Sequence, residues 1–585
     1  MGFFKTGLFN FAFTSTLLLG MAGAQNVLAP GVAPVSATPT VQQPDTSKPP
    51  ATFDEAVDRL VARENVVIRT MKTMHPLVET YIQTMKTDPE LGLVPESDDY
   101  FLGKLDLTKG FTIDQSYLTE PGFATSFLEK FTTLTSSRFN PKGFASMVLL
   151  DTQFDRNAYE FQFIRREFLG DIRCLVIDIS PKKHSGYGRF MGRIWVEDQD
   201  YNIVRFNGSF VNANTKFGLY NHFDSWRINM KPGLWLPAYV YSEETDLHLS
   251  FGKRLRYKAQ TRLWGYNLSR SNRNEEFSEI LVDSDTVHDQ ASDTDLSPVE
   301  SQRAWERMAE DNALERLQLA GLLARDGDVD RVLETVVNNL EVTNNLEIQP
   351  EVRCRVLLTA PLETFSVGHT IVISRGMLDV LPDEASLAMV LAHELAHIVL
   401  QHGMAIDSKY AFNDRMQFKD NKTFENFSFN HSPAEEEAAD KKALDFLTNS
   451  PYKDKLSNAG LFLKAVELHG ELHNLIRAHL GDGLASKNSL RMSSLMNVAP
   501  KLQTSRTDQV AALPLGGRIK LDPWTDQVQL MKSKAVPLLS AREKLAFQVT
   551  PFFPHLTRIG APEKVAQTST GAAPNNNAAS ASTAK

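Results

Sequence analysis

With two cysteines in 585 residues, the chain has too few to build a disulfide framework, and Cys174 and Cys354 form one bridge or none. It has no dense run of lysine and arginine, and its formal net charge is −9, which excludes a nucleic-acid partner. No 34-residue period of paired helices is present, so the chain carries no TPR-type repeat. Past the first two dozen residues, no apolar run is long enough to span a bilayer. The length excludes a single core, and roughly two to four domains are expected.

The start of the chain does carry an address. Lys5 precedes an apolar run through Leu8, Phe11, Phe13 and Leu17 to Leu19, and Ala22-Gly23-Ala24 follows as a small-residue cleavage site. Residues 1–24 read as a secretory signal peptide cut before Gln25. An uncleaved membrane anchor is the rival reading, and no cysteine stands at the cut to take lipid. Residues 25–51 form a disordered Pro-rich linker, and residues 567–585, rich in Ala, Ser, Thr and Asn, a disordered tail. The expected location is the periplasm, with soluble character or peripheral contact with the membrane or lipoproteins.

Residues 52–99 read as a helical segment. Ala56, Leu60, Val66, Ile68, Met71, Leu77 and Ile82 approximate a 3.6 period as far as Met85. From residue 100 to 266 the period falls to two. Tyr159, Phe161 and Phe163 alternate with Glu160 and Gln162, and Arg193-Ile194-Trp195-Val196 leads through Asp198-Gln199-Asp200 into Ile203-Val204-Arg205-Phe206. This predicts an antiparallel β-rich domain. The stretch from Gly192 to Gly208 resembles the half-barrel domains of periplasmic lipoprotein carriers, which implies a concave apolar face for acyl chains. A purely structural sheet and a surface presenting protein substrates are the alternatives. Residues 267–298 are an acidic interdomain linker without the glycine and terminal glutamate of an EF-hand.

The chemistry is concentrated in residues 299–450. Helices are expected over Val299–Ala324 and Val329–Leu340, and strands over Val352–Leu358 and Thr370–Ser374. Ala392-His393-Glu394-Leu395-Ala396-His397 holds an HExxH pattern on a predicted helix that opens at Pro382-Asp383-Glu384 and that Gly403 is placed to end. Residues four apart share a helix face, so His393 and His397 present both imidazoles to one metal ion, with Glu394 beside them. Catalytic zinc takes three protein ligands and leaves one position for water. Downstream, Ser432-Pro433-Ala434-Glu435 has the form of a capping box with proline in the first turn. It launches a second helix on which Glu436 and Asp440 share a face. Glu436 is read as the third zinc ligand, and Asp440 as the hydrogen-bond acceptor that orients a ligand histidine. The rival pattern, HExxHxxGxxH, fails because Leu400 and Gly403 hold its positions. On a continuing helix His402 would lie about 180° from His393.

Together, HExxH and ExxxD resemble the HtpX-like and CAAX-prenyl-protease-like zinc peptidases, over roughly Leu314 to Asn449. The resemblance implies a gluzincin-type fold holding one zinc ion per chain, with Glu394 as the catalytic base. It also implies an edge strand receiving the substrate backbone at Val367, Gly368, His369, Thr370 and Ile371. The chain departs from the family at Glu363-Thr364-Phe365 and Gly368-His369, where the family often has Asn-Ala-Phe and a double glycine. The family's HP…R element has no clean match, and the nearest is Pro551 to Ile559, which offers His555 or Arg558 as oxyanion stabiliser. Residues 404–431 suggest a lid, with His431 on the surface. Residues 451–566 are expected to be mainly helical, with a helix over Asn458–Leu480 that carries His469 and His473 to solvent. The expectation is an α+β multidomain protein, an antiparallel β-rich domain followed by a mainly helical zinc peptidase. It would be an exported endopeptidase acting on unfolded or misassembled envelope proteins. The alternative is a periplasmic chaperone or lipid- or lipoprotein-binding protein with a latent or regulatory metal site.

Overall fold

Thr52 opens the first helix by accepting a hydrogen bond from the Glu55 N–H, and α1 runs Phe53–Thr73 with Ala56, Leu60, Val67, Ile68 and Met71 buried along one stripe. This is a computed structural model, and it describes residues 50–89, 92–108, 110, 112–114, 141–152, 154–183, 185, 188–211, 221–244, 257–266, 298–402, 429–486, 489–503, 519–522, 526–530 and 547–559. The signal peptide, nearly all of the Pro-rich linker, the acidic linker, most of the lid segment and the tail lie outside them.

The helix expected to reach Met85 stops at Thr73. Met74 is already extended, and Pro76 disfavours helical backbone at His75. The chain continues as strand β1, Leu77–Asp88, whose first nine residues are all buried. A strand covered on both faces loses the period-two signature, which is why Leu77 and Ile82 fit a helical pattern in the sequence. Val78 and Ile82 pack toward α1, while Leu77 and Tyr81 join the core that continues into the second half of the chain.

Strand β1 lies inside a ten-stranded antiparallel sheet of order β3-β2-β1-β10-β9-β8-β7-β6-β5-β4. The others are β2 (Gly92–Asp106), β3 (Thr112–Asp114), β4 (Tyr159–Leu169), β5 (Ile172–Pro181), β6 (Phe190–Glu197), β7 (Ile203–Phe210), β8 (Asn221–Lys231), β9 (Leu234–Glu244) and β10 (Tyr257–Trp264). Consecutive strands from β4 to β10 pair as a meander, and β10 pairs with β1. One face is capped by α1, tied down by a fully buried bidentate pair from Arg227 of β8 to Glu64 at 2.6 and 2.7 Å. Removing one partner of such a pair costs about 3–5 kcal/mol.

The second half packs on the opposite face. Its longer helices are α2 (Pro298–Leu319), α3 (Asp328–Thr343), α4 (Arg375–Val380), α5 (Glu384–Val399), α6 (Pro433–Thr448) and α7 (Leu456–Leu468). A small mixed sheet carries β11 (Arg353–Leu357) parallel to β13 (Thr370–Ser374), with β12 (Glu363–Val367) antiparallel beyond it and β14 (Asp482–Gly483) on the outside. The architecture is α+β. Cys174 and Cys354 are both free and buried, in β5 and β11.

Among the described residues beyond α7, helix is confined to short pieces. α7 ends at Leu468, and His469 is its C-cap, with Nδ1 on the Ala465 carbonyl at 2.7 Å. His473 starts a separate four-residue helix, so the two histidines do not share a face. Residues 547–559 run extended along the large sheet, where Val549 N–H donates to Gln83 and Asp171 N–H donates to the Leu556 carbonyl.

Candidate metal and catalytic site

Helix α5 begins at Asp383, whose carboxylate accepts from the Ser386 N–H at 2.9 Å, and every residue from Ala385 to Ile398 is buried. An apolar helix surrounded on all sides has no solvent face, so His393, Glu394 and His397 point into the protein and need internal partners. Helix α6 supplies them. Its capping box forms as the sequence predicts: Glu435 N–H donates to Ser432, and Ser432 N–H donates to the Glu435 carboxylate at 2.8 Å. This sets the first turn of α6 against α5.

His393 Nε2 lies 3.0 Å from His397 Nε2, and the Glu436 carboxylate lies 3.5 Å from the first and 3.3 Å from the second. Asp440, one turn on, reaches His393 Nδ1 at 2.9 Å. Tetrahedral zinc with nitrogen ligands at about 2.0–2.1 Å sets its ligand atoms about 3.3 Å apart. Two nitrogens and a carboxylate converging at this separation fit that ion. A carboxylate at Nδ1 favours the tautomer that leaves the Nε2 lone pair of His393 for the point where the three side chains meet.

Helix α5 does not continue through His402. Gln401 adopts φ 58°. Its N–H donates to the Ile398 carbonyl, and the His402 N–H donates to the His397 carbonyl at 2.9 Å. This is a Schellman ending with glutamine where glycine is usual, two residues before Gly403. The reversal brings His402 Nδ1 to 3.1 Å from His397 Nδ1, beside a ligand histidine rather than on the far side of a helix. His431 is not on the surface: its ring stacks on His397 with centroids 3.7 Å apart, and Nδ1 pairs with Asp482 at 2.7 Å.

Arg491, Asp482 and Thr364 belong to the site and lie outside its motifs. Arg491 is buried, with Nη1 3.1 Å from Glu394, Nε 3.1 Å from Glu436 and Nη2 3.6 Å from Asp482. Thr364 Oγ1 is 2.6 Å from Glu394 Oε1. No local signal marks Arg491, because it reaches the site through the pairing of β14 with β12 and the turns that follow. Thr364 was visible only as a departure from the family pattern. His431, Glu436 and Asp482 form a second convergent donor set, but the Arg491 guanidinium lies against both of its carboxylates, which disfavours a second cation there.

The electrostatics follow from these contacts. Burial pushes Glu436 up, but the two imidazoles and Arg491 more than offset it and hold the carboxyl far below its usual range. Glu394 is also pushed up by burial, and Arg491 with the two histidines brings it below the ordinary value. Burial dominates at His397 and lowers it, whereas at His431 the bond to Asp482 outweighs burial and raises it. Glu436 and Glu394 are held charged and His397 neutral, as a cation needs. At His393 burial and Arg491 pull downward, but the bonds to Asp440 and Glu436 outweigh them and raise it, so a metal there displaces a proton.

Other expected residues lie elsewhere. Arg558 pairs with Glu197, whose buried carboxylate also accepts N–H bonds from Gln199, Asp200 and Asn202, and His555 lies 3.5 Å from Asp171. Both belong to the large sheet, because the Pro551–Ile559 stretch is the strap across it. Gly368 and His369 form the turn between β12 and β13, with the His369 N–H on Glu310 at 2.9 Å. Thr370 and Ile371 are in β13, which is interior to its sheet and offers no edge. Of the five residues expected on the substrate edge, Val367 alone lies on β12. Among the described residues, β12 is paired on its outer side only at Glu363 and Thr364, by β14.

No helix among the described residues is long and apolar enough to cross a membrane. No curated protein matches the chain in sequence. Solved structures similar to part of it include a DUF1329 family protein from Desulfovibrio piger ATCC 29098. It is 11% identical, covering 38% of this chain and 98% of that one, with a TM-score of 0.18. A LolA superfamily protein from Nitrosomonas europaea is 10% identical, covering 36% and 91%, with a TM-score of 0.19. Residues 324–419, the segment that carries β11 to β13 and the His393–His397 helix, match peptidase family M48, and that similarity supports a metallopeptidase.

Proposed function

We propose that the protein is an exported zinc-dependent endopeptidase that hydrolyses extended segments of unfolded or misassembled envelope proteins. The observation that carries the reading is the convergence of His393 Nε2, His397 Nε2 and Glu436, with Oε2 of Glu394, the residue next to His393, buried without a hydrogen-bond partner. An orphaned buried carboxylate oxygen is costly, and it is explained if a water stands there during the reaction. His393, His397 and Glu436 would hold zinc, which when bound lowers the pKa of a water and polarises the scissile carbonyl.

Glu394 Oε2 accepts the proton of the attacking water and returns it to the leaving amine. Asp440 and His402 fix the orientations of the two imidazoles. Arg491 supplies a fixed positive charge beside the reacting carbonyl, the role the sequence suggested for His555 or Arg558. The substrate backbone adds to the outer side of β12 from Phe365 to Val367, so extended peptides are favoured over folded ones. The export signal and the family resemblance support the envelope setting.

The test is cleavage of a denatured model protein by the chain from Gln25 onward, beside Glu394→Gln, with and without a chelator. Activity lost in the variant while zinc content stays at one per chain supports the reading. A folded, zinc-loaded wild type with no turnover on any unfolded substrate would overturn it.

A further inference from the structure

The catalytic glutamate of an HExxH helix is set on the correct face by the helix, but its carboxylate is not thereby oriented. The terminal torsion of a glutamate is broad, so the plane of the two oxygens must be fixed by what they touch. Here the two oxygens are treated differently. Oε1 lies 2.6 Å from Thr364 Oγ1 and 3.1 Å from Arg491 Nη1, whereas Oε2 is buried without a partner. Arg491 Nη1 is also 2.9 Å from Thr364 Oγ1. A guanidinium only donates, so the Thr364 oxygen accepts from Arg491, and its own proton goes to Glu394. All three groups are buried, and the polarity of this small ring is fixed by its chemistry.

We propose that Thr364 is a positioning residue for Glu394: its hydroxyl, itself oriented by Arg491, holds Oε1 and so presents Oε2 to the attacking water. This rests on the peptidase reading above. The hydroxyl sits on β12, the strand proposed to receive the substrate, so one residue joins the strand to the carboxylate. The next residue back, Glu363, anchors that strand. Its buried carboxylate accepts from the N–H groups of His479 and Leu480 at 2.9 Å each, and of Gly481 at 3.4 Å. Gly481 is required there, since a Cβ would fall 2.4 Å from the Phe365 ring. Thr364 therefore has little freedom to move with its load.

Thr364→Val keeps the shape and removes the hydroxyl, and Thr364→Ser keeps the hydroxyl and removes a methyl. In the zinc-loaded full chain, the valine variant should lose about tenfold to hundredfold in kcat with little change in KM. A small hydroxamate, which binds zinc and donates its hydroxyl to the glutamate, provides a reading independent of turnover. Its affinity should fall about tenfold in the valine variant, an expectation scaled to the loss of one buried charge-assisted hydrogen bond. Serine should restore both, while zinc content stays at the wild-type level throughout. If the valine variant does not fold, Thr364→Ala takes its place. A folded valine or alanine variant with wild-type kcat and hydroxamate affinity overturns the positioning role and leaves the peptidase reading intact. Zinc-loaded wild type that neither cleaves nor binds the hydroxamate overturns both.

Discussion

Asp440 and Glu437 stand one turn apart on α6, yet they should respond very differently to removal. Asp440 is 2.9 Å from His393 Nδ1 and also accepts the Met492 N–H at 2.9 Å, whereas Glu437 reaches only the exposed Lys441. Asp440→Ala should weaken zinc binding about tenfold to hundredfold, because His393 loses the acceptor that sets its tautomer. Glu437→Ala should leave it unchanged. Competition with a metal-sensitive dye measures both, and equal affinities would refute the assignment of Asp440. Arg491 gives a second contrast. Arg491→Ala removes the one cation shared by Glu394 and Glu436 and should lower kcat by about a hundredfold. Arg491→Lys should not restore it, since an ammonium cannot reach two carboxylates and Thr364 in the fork geometry the guanidinium provides. Restoration of turnover by lysine would mean that charge alone suffices.

Elements were legible in the sequence where local chemistry decided them. The α5 helix and the capping box of α6 could be read from His393, His397 and Ser432 to Glu435, because caps and i, i+4 faces are properties of a few neighbouring residues. Strand β1 carries a helix-like pattern at Leu77 and Ile82 because both its faces are covered, one by the core that includes α1 and the other by the core shared with the second half of the chain. Arg491, Asp482 and His402 were missed or misplaced for the same kind of reason: long-range pairing or an unexpected reversal sets their positions. The reversal at Gln401 makes its own prediction. A glutamine at φ 58° bears steric strain that glycine avoids, so Gln401→Gly should stabilise the protein by about 0.5–1 kcal/mol, as a rise in melting temperature. The His402 contact with His397 should survive, and zinc affinity should stay within about twofold. A fall in melting temperature would mean that Gln401 makes contacts worth more than the strain.

At the scale of the whole molecule, the large sheet and the peptidase half share one core and one buried ionic junction, so neither is a detachable module. Glu79 of β1 is fully enclosed at this junction: it accepts from the Ala360 N–H at 2.7 Å, the Tyr100 hydroxyl at 2.9 Å and Arg375 Nη2 at 2.9 Å. Arg262 and Asp379 add a second pair across it at 3.4 Å. Ala360 and Arg375 flank β12 and β13, so the sheet that lines the proposed site is held from outside by a carboxylate of the other half. Burial pushes Glu79 up to about 7 despite the opposing pull of Arg262 and its hydrogen bonds. The unfolded chain titrates near the ordinary value, about 4.3. Between these values the folded protein keeps a proton that the unfolded chain has lost, so stability falls as pH rises through the window. Below about 4 both states are protonated and the contribution is fully present; by about pH 8 it is gone, a loss of about 4 kcal/mol at most. Glu79→Gln cannot titrate. It should be less stable than wild type at every pH, but the gap should be larger at pH 5 than at pH 8. Denaturant unfolding of both proteins at these two values measures the difference, with titrating groups that do not interact with Glu79 cancelling. A gap that widens with pH would mean that the three donors outweigh burial and keep Glu79 charged in the folded protein.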